Sequence, residues 1–174
     1  MREKRFIATI AVLMILFVTG CFVWYTASKK TGPLDEQAVR RIERICGFKA
    51  ECKVQLGDLF GGDWDTFYEF GVAVDQTTID GALRVQGIRR AEHMRTMVLM
   101  NGIRVMATEH ERYGMKQPLD GQIEFVGEHH RDDGWVRYKR ETWLRARAFH
   151  IVSPTEEGTY YVLSEEDPVG QGTG

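Results

Sequence analysis

The pattern of apolar and polar positions divides the chain after residue 27. Residues 6–27 carry no charged side chain, and Arg2, Lys4 and Arg5 precede them. At about 1.5 Å per helical residue this run reaches roughly 33 Å, enough to cross a bilayer core of about 30 Å. Because basic residues favour the cytoplasmic side, the pattern predicts an uncleaved signal-anchor helix with residues 1–5 in the cytoplasm.

A lipoprotein signal peptide is the alternative interpretation of the same run. Its apolar part would be about thirteen residues long, which fits a secretory signal. The sequence Val18-Thr19-Gly20-Cys21 resembles the bacterial lipobox, so Cys21 is the predicted lipidated residue. Trp24 and Tyr25 favour a spanning helix instead, since such rings lie at membrane interfaces. A released protein is the least favoured interpretation. The spanning-helix and lipoprotein interpretations both predict an extracytoplasmic domain. A spanning helix would hold it at the inner membrane, on the periplasmic or extracellular side, whereas a lipid would anchor it in the envelope.

Helical periodicity resumes after a linker at residues 28–33. The apolar positions that repeat at helical spacing are Leu34, Ala38, Val39, Ile42 and Ile45. They predict a helix that ends near residue 46, with Gly47 as its stop signal. Residues 53–60 and 64–74 read as strands, and residues 79–86 as a short helix.

Two hairpins are predicted further along the chain. Residues 94–100 and 103–109 flank Asn101-Gly102, the pair that a two-residue type I′ turn prefers. A second hairpin is predicted to join residues 122–128 to residues 135–140 through a polar tip.

Residues 143–151 and 160–163 complete the predicted strands. The fold class predicted for the whole chain is α+β, with an N-terminal transmembrane helix and one mostly antiparallel sheet with two short helices. Residues 34–168 would form the extracytoplasmic domain, and residues 169–174 a disordered tail. About 145 residues after the anchor suffice for one domain with its own core.

Charge narrows the choice of partner. The whole chain has a net charge of −2, but the residues after Lys30 hold 18 basic and 24 acidic side chains, a net of −6. Proteins that bind nucleic acid usually carry a basic footprint, so a mildly acidic domain argues against that partner.

Cys46 and Cys52 are predicted to form a disulfide. Five residues separate them, and an oxidising compartment would let them pair. Two buried thiols that never meet are the alternative. A bridge would attach the end of the first helix to the following strand.

Residues 62–70, Gly-Asp-Trp-Asp-Thr-Phe-Tyr-Glu-Phe, resemble a loose group of small bacterial envelope proteins. Members of this group share a Trp-Asp strand after an N-terminal helix, followed by a short helix and an antiparallel hairpin. The resemblance covers about residues 34–110 and implies topology and export; the group carries no assigned activity. The chain departs from the group at residues 71–74, where the other members have a more proline-rich segment after the strand. The residues beyond Arg112 have no counterpart in the group.

The same motif contains the best candidates for catalysis. Asp63, Asp65 and Glu69 would offer carboxylates for acid–base chemistry or for a cation. Large aromatic residues alternate with them, which is typical of a buried central strand and favours a structural role. A small hydrolase that uses Asp63 or Asp65 with a histidine such as His110 is the less favoured alternative.

Two further groups in the sequence combine side chains that can bind metal ions. Residues 129–133 combine two histidines with two aspartates, but adjacent histidines on an extended chain point in opposite directions. Glu109-His110-Glu111 lacks the spacing and the third ligand of known zinc patterns. The sequence therefore predicts no catalytic, cofactor-binding or metal-binding residue.

The late strands carry a candidate partner face. Its predicted members are Trp135, Arg137, Lys139, Arg145 and Arg147. Tryptophan and arginine are enriched in binding hot spots. We therefore expect a membrane-anchored extracytoplasmic binding or accessory protein of the bacterial envelope, acting through protein–protein contacts. An immunity or inhibitor protein of the lipoprotein type is an alternative.

Overall fold

The computed structural model describes residues 14, 33–47, 49–113, 118–127, 134–152 and 157–165. The chain divides into two units, Met1–Lys30 and Thr31–Gly174. The predicted membrane span and the Cys21 lipidation site lie outside the described residues, apart from Met14, which is helical. Among the described residues, no helix is long and apolar enough to cross a membrane.

The described part of the second unit has three helices and eight strands. The helices are α1 (Pro33–Cys46), α2 (Leu56–Leu59) and α3 (Gln76–Leu83). The strands are β1 (Glu51–Gln55), β2 (Thr66–Phe70), β3 (Met94–Asn101), β4 (Arg104–Arg112), β5 (Ile123–Val126), β6 (Trp135–Lys139), β7 (Trp143–Val152) and β8 (Glu157–Glu165). The mixed composition fits the predicted α+β class.

The strands form two sheets, so the prediction of a single sheet is wrong. Sheet A has the order β1-β7-β8-β5, and sheet B has the order β4-β3-β2-β6. All neighbouring strands are antiparallel except β5 and β8. The inner faces of both sheets contribute to one core, in which Phe67 of β2 packs 4.6 Å from Phe125 of β5 and 5.3 Å from Phe60, between ring centroids.

Helix α1 packs on the same core through one stripe. Ala38, Ile42 and Cys46 recur every four residues and are buried, as expected for one face of an amphipathic helix. A disulfide joins Cys46 at the end of this helix to Cys52 in β1, with their Cα atoms 5.6 Å apart. The bridge therefore fixes α1 to the edge strand of sheet A.

Replacing both cysteines by serine is expected to lower the free energy of unfolding by about 2 kcal/mol. The closed loop is short, so the bridge removes only a modest amount of entropy from the unfolded chain. Urea denaturation of the two proteins, with and without reductant, measures the difference. Reductant should destabilise the wild type and leave the C46S/C52S variant unchanged; equal stability of both proteins without reductant would contradict the expectation.

Sheet B is covered on its second face as well. Tyr68 and Phe70 of β2 form a separate buried cluster with Ile79 and Leu83 of α3. The helix begins where the Asp75 carboxylate accepts a hydrogen bond from the amide of Thr78 (2.8 Å), a typical N-cap. The central strands of sheet B are thus buried on both sides, whereas one face of sheet A stays exposed.

The first predicted hairpin is confirmed, but its turn differs. Strands β3 and β4 pair in antiparallel register with Asn101 opposite Arg104, so the central turn residues are Gly102 and Ile103. Of the two, Gly102 alone has a positive φ (+58°), as a type II′ turn requires. A type I′ turn would need positive φ at both central positions, so the predicted turn type is wrong.

The second predicted hairpin is wrong. Strand β5 lies parallel to β8 in sheet A, whereas β6 pairs with β2 in sheet B. Alternate apolar side chains of β5 and of β6 point into the same core, β5 from sheet A on one side and β6 from sheet B on the other. Alternation reports which side chains point inward, but it does not report which sheet a strand joins.

Two predicted strands are shorter than expected. The strand predicted at residues 53–60 ends at Gln55, and the turn of helix α2 follows. The amides of Leu56 and Gly57 donate to the carbonyls of Thr142 and Arg140, which draws the chain out of the sheet. The strand predicted at residues 64–74 is β2 alone.

Candidate functional site

A buried cluster of charges lies at one end of the core. Its members are Arg95, Asp35, Glu69 and Glu111, and they are called the Arg95 cluster below. Their exposed fractions are 1%, 0%, 6% and 5%. Charged residues are almost never buried to this extent unless they are paired.

One guanidinium contacts all three carboxylates. Its Nη1 lies 3.2 Å from Oε1 of Glu69, and its Nε lies 3.1 Å from Oε2 of Glu111. Its Nη2 donates to Oδ2 of Asp35 and to Glu111. Nη1 also donates to the carbonyl of Ile123, and the ring of Tyr113 lies 4.8 Å from Cζ. The arginine is therefore held by α1, by both sheets and by the segment after β4.

Strand alternation explains why these side chains meet. Arg95 shares the inner face of β3 with Met97 and Leu99, and Glu111 lies directly opposite Arg95 in β4. Glu69 shares the inner face of β2 with Phe67. Glu69 and Glu111 belong to motifs singled out in the sequence, whereas Arg95 and Asp35 do not.

Asp35 completes the cluster from the first turn of α1. Its Oδ2 also accepts a hydrogen bond from the amide of Ile123 at the start of β5 (3.2 Å). Next to it, the amide of Leu34 donates to Oε2 of Glu109 in β4 (2.7 Å). The start of α1 is thus tied to both sheets through polar contacts.

Burial changes the protonation of the carboxylates. It raises the pKa of Asp35 well above its ordinary value, against the attraction of Arg95. Burial likewise raises the pKa of Glu69 to about 7, although Arg95 opposes the shift. Burial lowers the pKa of Arg95, but attraction to Asp35, Glu69 and Glu111 outweighs it, so the net pKa is raised. The arginine therefore stays charged while the carboxylates compete for it.

The carboxylates and the histidine of the hydrolase hypothesis do not converge. Asp65 adjoins β2, where its amide donates to the carbonyl of Met100. His110 pairs with Thr96, and its Nδ1 lies 3.0 Å from the Thr96 hydroxyl. Thr96 and Met100 are four residues apart on β3, which separates Asp65 from His110 by about 13 Å along the strand.

The two aspartates instead support the neighbouring turn. Oδ2 of Asp65 accepts a hydrogen bond from the amide of Gly102 (2.6 Å). Its Oδ1 accepts one from the Thr66 hydroxyl, and these bonds lower the pKa of Asp65. Asp63 accepts a hydrogen bond from the Asn101 amide side chain (3.1 Å). The geometry is that of a stabilised β-turn.

The predicted metal ligands give no site within the described ranges. Those ranges contain no group of three or more His, Cys, Asp or Glu side chains arranged to hold a metal ion. Residues 129–133 fall outside them.

The predicted partner face splits into two groups on different sheets. Trp135, Arg137 and Lys139 lie on β6, on the face of sheet B that α3 covers, and the Arg137 guanidinium lies 5.7 Å from the Tyr68 ring centroid. Arg145 and Arg147 lie on β7, on the exposed face of sheet A. Residues alternating with both groups enter the same core, so the two groups point away from it on opposite sides.

The outer face of sheet A, formed by β1, β7 and β8, presents exposed and half-buried side chains. It is defined here by Glu51, Lys53, Trp143, Arg145, Arg147, Phe149 and Tyr160. Trp143 is 57% exposed and Phe149 is 36% exposed. The Phe149 ring stacks on Tyr160, with centroids 5.4 Å apart.

The carboxylate of Glu51 contacts both arginines of this face. Glu51 lies 2.7 Å from Nη2 of Arg147 and 3.2 Å from Nε of Arg145. Lys53 lies opposite Arg145 in the strand register, so the defined face carries three basic side chains and one acidic one. This face is locally basic although the domain as a whole is acidic.

Comparisons of the chain with protein families, with curated proteins and with solved structures find no match. The resemblance to small bacterial envelope proteins therefore stays a prediction from residues 62–70. The candidate sites stand on the geometry described above.

Proposed function

We propose that this chain is a membrane-anchored extracytoplasmic accessory protein that binds an acidic segment of a partner protein through the outer face of sheet A. One observation carries the proposal: this sheet face presents the large apolar side chain of Trp143 at 57% exposure. Sheet B uses both faces of its central strands for packing. The membrane location rests on the charge-free run at residues 6–27.

The side chains of the outer face suit protein recognition. Tryptophan, tyrosine and arginine are the residues most enriched in binding hot spots. Four side chains of the face already have partners within the protein, since Phe149 stacks on Tyr160 and Glu51 contacts both Arg145 and Arg147. Fewer rotamers would then be lost on binding, which improves affinity for a partner of defined shape.

Charge complementarity favours an acidic segment. Two guanidinium groups share one carboxylate, and Lys53 adds a third positive charge. Carboxylates on a partner would find donors from arginine forks, which bind them with two parallel hydrogen bonds. Trp143 and Phe149 would cover apolar side chains beside those carboxylates.

Charge reversal at both arginines is expected to abolish partner capture. The R145E/R147E variant would place three carboxylates on this face with Glu51, so an acidic segment would be repelled. The test is capture of tagged full-length protein from crosslinked membranes, with quantitative mass spectrometry of the proteins recovered. Capture of the partner should fall at least tenfold.

The matched control is R137E/K139E, which reverses two basic residues on sheet B. That variant should retain capture. Equal loss in both variants would contradict the assignment to sheet A, and so would unchanged capture by R145E/R147E. Recovery of anionic vesicles instead of one protein would assign the face to lipid headgroups and overturn the protein-partner proposal.

A further inference from the structure

We propose that the Arg95 cluster is a proton-operated latch that docks the start of α1 on the two sheets and tightens as the pH falls. This proposal is independent of the outer face of sheet A. It concerns the point where the domain begins, directly after the predicted anchor and linker.

The latch joins elements that are far apart in sequence. Asp35 lies in the first turn of α1, and its carboxylate contacts Arg95 of β3 and the amide of Ile123 in β5. Leu34 is tied to Glu109 of β4. The fully buried stripe of α1 begins at Ala38, and Leu34 is only partly buried against the core, so polar contacts supply much of what holds the first turn.

The composition of the cluster favours the uptake of protons by its carboxylates. Three buried carboxylates surround one guanidinium, which leaves an excess of negative charge away from water when all are ionised. Oδ2 of Asp35 and Oε2 of Glu111 both accept from Nη2 of Arg95, so the two carboxylates are held side by side, and like charges this close disfavour the ionised form of each. Oδ1 of Asp35 is buried and has no hydrogen-bond donor among the described residues. Proton uptake would relieve the repulsion without breaking the arginine contacts.

The acidic groups around Asp35 and Glu69 also favour protonation of these two carboxyls. The titratable and charged groups that face Asp35 and Glu69 are Arg95 on β3, Glu109 and Glu111 on β4, Tyr113 after β4, Glu124 on β5 and Tyr138 on β6. Among them Arg95 alone is basic and favours the ionised carboxylates. His110 alternates with Glu109 and Glu111 on β4, so it points to the opposite face and contacts Thr96.

The sign of the pH effect follows from the raised pKa values. A carboxyl whose pKa is raised in the docked state binds its proton there and releases it in the open state. Docking is therefore favoured at low pH and weakened as the pH rises through about 7, the value for Glu69. If opening restores Glu69 to its ordinary value of 4.5, lowering the pH from 8 to 5.5 shifts the docking equilibrium about 30-fold.

Hydrogen exchange of the full-length protein in detergent micelles tests the latch. Exchange of residues 33–46 is measured at pH 8 and pH 5.5 and corrected for the intrinsic pH dependence of amide exchange. The corrected protection of the first turns of α1 should rise at least tenfold at pH 5.5. Unchanged corrected protection in the wild type would overturn the proposal.

Two variants separate the latch from a general effect of pH. D35N/E69Q should show the same protection at both pH values, whereas H110Q should keep the wild-type response. If D35N/E69Q does not fold, E69Q alone should reduce the response at least threefold. A wild-type pH response in D35N/E69Q, or in E69Q where only that variant folds, would overturn the proposal. Loss of the pH response in H110Q would overturn it as well.

Discussion

Replacing Arg95 by methionine is expected to lower the free energy of unfolding by about 3–5 kcal/mol at pH 7. Removing one partner of a buried ion pair leaves the other charge without compensation, and Arg95 is the basic partner of three carboxylates. Methionine fills much of the space of the arginine stem, so the loss reports charge rather than a cavity. Urea denaturation of the full-length protein in detergent provides the measurement.

The pH dependence of this loss distinguishes charge from packing. At pH 5 the carboxyls of the variant take up protons more readily, so the destabilisation should be smaller than at pH 8. R147M is the matched control, because Arg147 forms a half-exposed pair with Glu51. Such surface pairs contribute about 0–1 kcal/mol. A loss for R95M no larger than that for R147M would show that the cluster does not hold the domain together.

Replacing Phe67 by alanine is expected to cost about 3–5 kcal/mol. Phe67 is fully buried, and its ring lies between Phe60 and Phe125 in the core shared by the two sheets. Truncation removes these contacts and leaves a cavity that the surrounding strands can fill only in part. Thermal and urea unfolding should show the loss at any pH, in contrast to the R95M variant.

F149A provides the comparison for the core substitution. Phe149 also stacks on another ring, but it is 36% exposed on the outer face of sheet A. We expect a smaller loss, of about 1–2 kcal/mol, because part of the ring is already exposed and water can fill the space that truncation leaves. Losses of similar size for F67A and F149A would contradict a core placed between the sheets.

The spacing of apolar residues and the turn signals predicted one helix and one hairpin correctly. Helix α1 follows from its apolar spacing, and hairpin β3–β4 from two apolar runs around Gly102. The predicted turn type is wrong because the turn lies one residue later than predicted. Its central residues are therefore Gly102 and Ile103 instead of Asn101 and Gly102. Turn geometry depends on register, which the sheet sets as much as the turn residues do.

Apolar spacing and turn signals could not predict which strands pair across long stretches of sequence. Strand β5 pairs with β8 in parallel, and Ile123 lies opposite Tyr161, which is remote in sequence. Parallel strands need a long connection, and nothing local marks which distant strand they join. The prediction of one sheet failed for this reason.

Part of the Arg95 cluster could have been predicted from the sequence pattern. Arg95 shares a strand face with Met97 and Leu99, and Glu69 shares one with Phe67. Opposite charges on core faces of neighbouring strands predict a buried ion pair. Asp35 gave no such signal, because an acidic residue in the first turn of a helix also suits the helix dipole.

Site-specific photo-crosslinking in intact cells tests the proposed function most directly. A photoreactive residue is placed at Trp143 on the outer face of sheet A, and in a second variant at the exposed Arg137 on sheet B. We predict one dominant protein adduct from position 143 and none from position 137. An adduct from position 137 alone, or no protein adduct from position 143 in well-expressed membranes, would contradict binding through this face.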